Sequence, residues 1–278
     1  MSAAATPRPD ATRPLPGVRR VLAPNPGPMT LDGTCTWVLG GLDGAAVVVD
    51  PGPDDGGHLD AVVAAAGDRG VGLVLLTHHH HDHADAAPAL AARTGAPVRA
   101  VDPAHRLGDE GLPDGDAVDV PGAGVLRVLA TPGHTADSVS LVLEGDGPRA
   151  VLTGDTVLGR GPTVVAAPDG RLTDYLRSLD RLAGLADAGT ALVLPGHGDP
   201  LGDLAAAVDA LREHRRSRLD QVRAALAAGD RTAGEVVARV YADVDPALHG
   251  AAEVSVAAQL EHLREVGEPV PAEDEGST

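Results

Sequence analysis

The chain has no lysine, isoleucine or phenylalanine, a single asparagine at Asn25, and only 1% aromatic residues in a length of 278. These four depleted residues have AT-rich codons, so a GC-rich genome accounts for the gaps without any appeal to function. Arginine therefore does every basic job, and no arginine here reads as chosen over lysine. One cysteine, Cys35, excludes an intramolecular disulfide. A formal net charge of -18 argues against indiscriminate binding to phosphate backbones, so no double-stranded DNA partner is expected. No run approaches the ~18 apolar residues of a membrane helix. The Pro- and Ala-rich first 17 residues lack the apolar core of a signal peptide. The expectation is a cytoplasmic protein with no membrane partner, made of one large domain or of a large and a small one.

What is present in abundance is histidine, concentrated in Thr77-His78-His79-His80-His81-Asp82-His83 after the apolar run 71–76. Along an extended backbone residues two apart project to the same side, so His78 and His80 can reach one ion. Where the chain turns, Asp82 and His83 can face a second. Imidazole and carboxylate suit zinc or a similar divalent metal. A His-rich patch can also be plain polar surface or an affinity tag, but a tag belongs at a terminus and this run is interior. Three further turns, Thr131-Pro132-Gly133-His134-Thr135, Thr153-Gly154-Asp155-Thr156 and Leu194-Pro195-Gly196-His197-Gly198, each follow a β-type apolar run and carry one ligand-type residue.

The ordered set H-x-H-x-D-H, then His, Asp and His, resembles the metallo-β-lactamase superfamily. Asn25-Pro26-Gly27-Pro28-Met29-Thr30-Leu31, the stretch 159–164 (Gly-Arg-Gly-Pro-Thr-Val) and His214-Arg215 resemble more narrowly its β-lactamase-like protein 2 subgroup. That subgroup usually has Asn where this chain has Cys35, so any hydrogen bond from that amide is lost or replaced. The resemblance implies an αββα sandwich followed by a small helical, winged-helix-like domain. It further implies that His78, His80 and His134 hold one metal, that Asp82, His83 and His197 hold a second, and that Asp155 bridges them. Asp82 is the alternative candidate for orienting the nucleophile if one metal binds.

Strands are predicted at 18–22, 36–39, 45–49, 71–76, 98–101, 125–130, 139–143, 150–152 and 191–194. Helices are predicted at 59–66, 85–94, 175–185, 203–228, up to 240 and 253–266. Strands that both alternate with helices and occur in runs fit two helix-covered sheets. The division expected is a disordered arm at 1–16, a catalytic domain at 17–202, a linking helix with a winged-helix-like domain at 203–267, and a disordered tail at 268–278.

Two divalent ions, Zn2+ first and Fe or Mn as alternatives, about 3.5–4 Å apart can share a hydroxide, since coordination brings the pKa of bound water towards ~7. Hydrolysis of an ester, thioester, lactone, lactam or phosphodiester follows, on a small molecule or, as the subgroup implies, on single-stranded RNA. A non-enzymatic winged-helix binding protein is the contrasting class. Charge opposes it, because residues 229–278 hold three arginines against eleven acids. Such a module is better read as a lid or as the element of a homodimer. Asp50 is either a carboxylate behind a ligand histidine or a simple strand-ending turn. His214 and Arg215 are candidates for substrate contact, while the other arginines of that helix read as a solvated face. His79 and His81 should point away from the metals, and His58, His105, His249 and His262 read as surface residues. Cys35 reads as a buried thiol rather than a ligand.

Overall fold

Short valine- and leucine-rich runs form two five-stranded sheets. The computed structural model describes residues 12–41, 43–186, 189, 191–243 and 249–271. The first sheet contains β1 (Val18–Leu22), β2 (Cys35–Leu39), β3 (Ala46–Val49), β4 (Val71–Leu75) and β5 (Val98–Arg99), in that order. The second contains β6 (Ala117–Val120), β7 (Gly124–Ala130), β8 (Val139–Glu144), β9 (Arg149–Gly154) and β10 (Ala191–Pro195), ordered β10-β9-β8-β7-β6. Every residue of β2 and β3 is buried, which is why these segments read as continuous apolar runs rather than alternating ones. Helices α1 (Gly56–Ala66), α2 (His81–Ala84) and α3 (Ala87–Thr94) follow strands of the first sheet. Helices α4 (Leu172–Ala186), α5 (Leu204–Ala227), α6 (Ala233–Val240) and α7 (His249–Glu265) follow the second.

Between the sheets lie Leu39, Val49, Leu75, Leu126, Leu141 and Leu152. Trp37, also buried there, sends its indole N–H across to the carbonyl of Pro195 at 3.0 Å. The outer face of the first sheet packs Val48 and Val74 on Leu59, Val62 and Leu90 of α1 and α3. Val142, Val151 and Val193 of the second sheet pack on Tyr175, Leu179 and Leu182 of α4, and the same apolar cluster continues through α5 to α7. This is the αββα sandwich expected, followed by three helices.

The β3–β4 and β9–β10 pairs are parallel, and β7 runs with β9 because β8 is antiparallel to both. The carboxyl ends of β3 and β4 in the first sheet, and of β7, β9 and β10 in the second, therefore lie at one edge of each sheet, and every residue assigned to a metal above follows one of them.

Several boundaries differ from expectation. The helix predicted at 85–94 begins at Ala87, with Pro88 in its first turn, where a missing N–H costs nothing. β6 was not predicted; it is an edge strand of four residues with Ala117 and Asp119 exposed. The arm expected to lack structure through residue 16 is held from Thr12 onward. The carbonyl of Thr12 accepts from Arg20 N at 2.9 Å, and Leu15 packs on the core. Residues 1–11 lie outside the described residues, as do 272–278 of the expected tail. The start of that tail is engaged, since the Glu268 carboxylate accepts from Arg223 at 2.7 and 2.8 Å.

Two histidines expected at the surface are buried. His262 meets Thr173 Oγ1 at 2.7 Å. His58 is 4% exposed, with Nε2 2.9 Å from Thr36 Oγ1. Both positions depend on partners remote in sequence. Burial, only partly opposed by Asp55 and the Pro51 carbonyl, holds His58 below its usual pKa. A histidine lowered on folding stabilises the fold above the unfolded value of ~6.5 and loses that contribution as pH falls towards the folded value. The His58→Gln variant should therefore lose less melting temperature than the wild type between pH 7 and pH 5. Parallel losses would show that His58 is not a source of acid sensitivity.

Candidate metal centre

Loops at the carboxyl ends of β3, β4, β7, β9 and β10 bring Asp50, the 78–83 segment, His134, Asp155 and His197 together. His80 closes the extended part of its segment at φ -57 and ψ 143, and the single turn of α2 then redirects Asp82 and His83. Two groups result. In the first, His78 Nε2 lies 3.2 Å and His134 Nε2 3.0 Å from His80 Nδ1. In the second, His83 Nε2 lies 3.2 Å from His197 Nε2, and Asp82 Oδ2 lies 3.5 and 3.1 Å from those two nitrogens. Asp155 touches both groups. Its Oδ1 is 3.5 Å from His83 Nε2, and its Oδ2 is 3.6 Å from His134 Nε2 and 3.4 Å from His197 Nε2.

The outer nitrogen of four imidazoles is held by an acceptor, which fixes the tautomer. His134 Nδ1–H donates to the Val164 carbonyl at 2.7 Å, and His197 Nδ1–H to the Gly33 carbonyl at 3.2 Å. His83 Nδ1–H donates to Asp50 Oδ2 at 2.9 Å. The Thr77 hydroxyl gives its proton to Asp50 Oδ2 at 2.7 Å, so at His78, 3.0 Å away, Nδ1 is the donor. All four present an unprotonated Nε2 to the centre in their neutral form, the arrangement of metal-ligating histidines.

A metal fits this donor set. Ring nitrogens 3.0–3.2 Å apart match the ~3.3 Å separation of tetrahedral ligands with metal–nitrogen bonds of ~2.0–2.1 Å. The buried Asp155 Oδ1 has no hydrogen-bond partner, a cost that a bound cation removes.

Electrostatics divides the histidines. Burial, then the neighbouring His83, pushes His78 well below its usual value; burial and His134 bring His80 to about 4. Both are neutral at pH 7, with lone pairs available. Burial also opposes charge on His197, but Asp155 and Asp82 outweigh it and raise that imidazole to about 10. The same contacts overcome burial at the carboxylates, lowering Asp82 to about 2 and Asp155 well below the normal range.

Asp50 is both things it was read as. It ends β3 in the left-handed region at φ 53, which Asp tolerates better than most residues. Its buried carboxylate also accepts from Thr77 N at 2.7 Å, besides Thr77 Oγ1 and His83. One side chain thus positions His83 directly and His78 through Thr77. The Asp50→Asn variant keeps the turn and loses the charge. About a tenfold fall in metal affinity is expected, within the range for partners behind ligands, and a chelator competition titration would read it; unchanged affinity would reduce Asp50 to a turn residue.

Of the remaining residues, His79 points away from the centre to Asp137 at 2.8 Å, and His81 is exposed beside Asp85. His79, His80 and Asp169 also bring one donor atom each within 4.8 Å of one another. Cys35 is fully buried, with Sγ 3.4 Å from the Gly198 carbonyl. Burial pushes its thiol up to about 12, so it is a protonated donor. Arg212, Arg216 and Arg223 pair with Asp180, Glu213 and Asp220, the solvated face expected. Arg215 instead is buried and donates to the Thr163 carbonyl at 2.6 Å. Thr77, Asp169 and the Gly33 and Val164 carbonyls were missed. Only Thr77, a hydroxyl beside the first histidine, offered a signal.

Residues 29–197 match the model of the metallo-beta-lactamase superfamily, and residues 232–269 match the beta-lactamase associated winged helix domain. The lactamase-like protein adaB of Aspergillus niger is 35% identical over 212 residues, which cover 75% of this chain and 63% of adaB. The chain thus spans less than two thirds of that relative. The beta-lactamase-like protein 2 homolog of Caenorhabditis elegans is 34% identical over 88% of this chain and 83% of its own. An atrochrysone carboxyl ACP thioesterase of Aspergillus chevalieri is 35% identical over 86% of this chain and 77% of its own. Among solved structures, a beta-lactamase domain protein from Burkholderia ambifaria superposes with a TM-score of 0.81 at 25% identity, covering 98% of this chain and 93% of that one. Two His/Asp groups joined at Asp155, on this fold and with this C-terminal module, place the chain in the metallo-β-lactamase superfamily.

Proposed function

We propose that the chain hydrolyses small-molecule thioesters at a binuclear centre, with zinc as the first candidate metal and iron or manganese as alternatives. The observation that carries the reading is the position of Asp155, in contact with both groups of donors at once. His78, His80 and His134 would hold one ion; Asp82, His83 and His197 would hold the other. Ions bound there would lower the pKa of a water towards ~7 and polarise a carbonyl oxygen.

The protein's own part is to fix tautomers and to keep the donors apart from bulk water. That division of labour favours a thioester over an oxygen ester or amide. His78, His83, His134 and His197 have both ring nitrogens committed, one to the centre and one to the protein, so they are not free to protonate a leaving group. A thiol with a pKa near ~8.5 leaves as thiolate without a proton; alkoxides and amines do not. Relatives named as thioesterases support the same choice. Cleavage of single-stranded RNA is disfavoured, because Arg212, Arg216 and Arg223 are occupied by acids and form no free basic face.

The test joins elemental analysis of the purified chain to thiol release from acyl-N-acetylcysteamine thioesters, with labelled single-stranded RNA alongside. About two metals per chain, and thiol release abolished by a chelator and restored by divalent ions, is the expected result. RNA cleavage without thiol release would overturn the substrate. A chain that stays metal-free after incubation with divalent ions would overturn the centre.

A further inference from the structure

Asn25 is the one asparagine of the chain, and the stretch it begins, singled out above by resemblance, supplies no donor to either group. Its side chain reaches across the loop to Thr34, which is fully buried. Asn25 Oδ1 accepts from Thr34 N at 2.9 Å, and Asn25 Nδ2 donates to Thr34 Oγ1 at 2.9 Å. A backbone N–H can only donate, so the amide cannot be turned the other way round. Among side chains this short, asparagine alone sets an acceptor beside an N–H donor; an aspartate carboxylate accepts at both oxygens, and serine offers a single atom.

Each half of this pairing leads on to the metal centre. Thr34 N–H and the Gly33 carbonyl belong to one planar peptide unit, and that carbonyl accepts from His197 Nδ1–H at 3.2 Å. Asn25 thus holds the peptide that orients His197. Gly33 sits at φ 132, and a Cβ there would lie 2.1 Å from the Ala23 carbonyl oxygen, so the same peptide is tightly seated on its other side. The Thr34 hydroxyl, accepting from Asn25, gives its own proton to Asp82 Oδ2 in a long hydrogen bond of 3.4 Å. A carboxylate oxygen carries two lone pairs, so Asp82 Oδ2 takes that proton and still faces His83 Nε2 and His197 Nε2. The other donors are oriented from elsewhere, His83 through Asp50, His78 through Thr77 and His134 through the Val164 carbonyl.

We propose that Asn25 is a positioning residue for the second group alone, acting on His197 through the Gly33–Thr34 peptide and on Asp82 through the Thr34 hydroxyl. It sets how tightly that group holds its ion without touching the ion. The inference rests on the reading that His78, His80 and His134 hold one ion and Asp82, His83 and His197 the other. It adds that the two affinities are tuned by different parts of the chain.

The full chain, stripped of metal, is titrated with Zn2+ against a chromophoric chelator in two backgrounds. His134→Ala breaks the first group and leaves the second; His197→Ala does the reverse. Adding Asn25→Ala to His134→Ala should weaken zinc binding by about tenfold or more, the range for partners behind ligands. Adding it to His197→Ala should leave binding unchanged. Thr34→Val should weaken binding in the His134→Ala background only, and Thr34→Ser, which keeps the hydroxyl, should restore it. A general loosening of the fold would move both backgrounds alike, so equal losses in the two, or no loss in either, would overturn the inference. If the wild type takes up a single ion, the binuclear reading fails, and the same two backgrounds still decide whether Asn25 acts on the second group. A His134→Ala chain that binds no zinc would overturn the inference too. Should Asn25→Ala not fold, the Thr34→Val and Thr34→Ser pair decides it in the same way.

Discussion

Replacing Asp155 with alanine is expected to remove at least half of the bound metal and to lower thioester turnover by more than ~100-fold, beyond the range for residues that merely support ligands. The magnitude follows from position. Asp82, His83 and His197 form one group, and His78, His80 and His134 the other; Asp155 alone of these seven has an oxygen within 3.6 Å of donors from both. In the proposed binuclear centre its loss would take a ligand from each ion and the negative charge that would offset their mutual repulsion. Elemental analysis of wild type and variant side by side reads the first effect, and thiol release reads the second. An Asp155→Ala protein with full metal and full activity would remove the bridging role.

The Gly196→Ala substitution should be almost as damaging, although it deletes nothing. A Cβ at this position would lie 2.4 Å from Asp155 Oδ1 and 2.7 Å from His83 Cε1. The backbone cannot yield easily, because Gly196 N donates to the Gly154 carbonyl at 2.8 Å and its own carbonyl accepts from Cys35 N at 2.7 Å. The carboxylate is the mobile party, and turning it breaks the contact with both groups. Inserting a methyl into a filled core usually costs ~1–3 kcal/mol. The expected outcome is a protein that still folds, with a modestly lower melting temperature, reduced metal content and turnover lower by about 100-fold. Normal metal content would mean that Asp155 does not need its present orientation.

Much of this centre is legible in the sequence because each donor follows an apolar run and sits in a turn. Those two local features survive without knowledge of the fold. Asp50 shows where legibility ends, since an Asp-Pro-Gly strand end reads equally as a turn or as a carboxylate aimed at an imidazole, and here it is both. The Gly33 and Val164 carbonyls that orient His197 and His134 leave no mark, because any residue has a carbonyl. His58 was misread since its burial depends on Thr36, which sequence distance conceals. In the sandwich, strands buried on both faces were readable as apolar runs, while β6, with alternate residues in solvent and only four of them, was not.

The 24 residues of α5 span roughly 36 Å, and the length matters for how the molecule comes apart. Its buried Val208 and Leu211 join Leu179 and Leu182 of α4, and its Leu219, Val222 and Ala225 join Val236, Val256 and Leu263 in one uninterrupted cluster. Heat should therefore dismantle both matched regions together, in a single calorimetric peak. Cutting the chain ahead of α5 would strip the cover from α4 and the second sheet and leave a sticky, aggregating fragment.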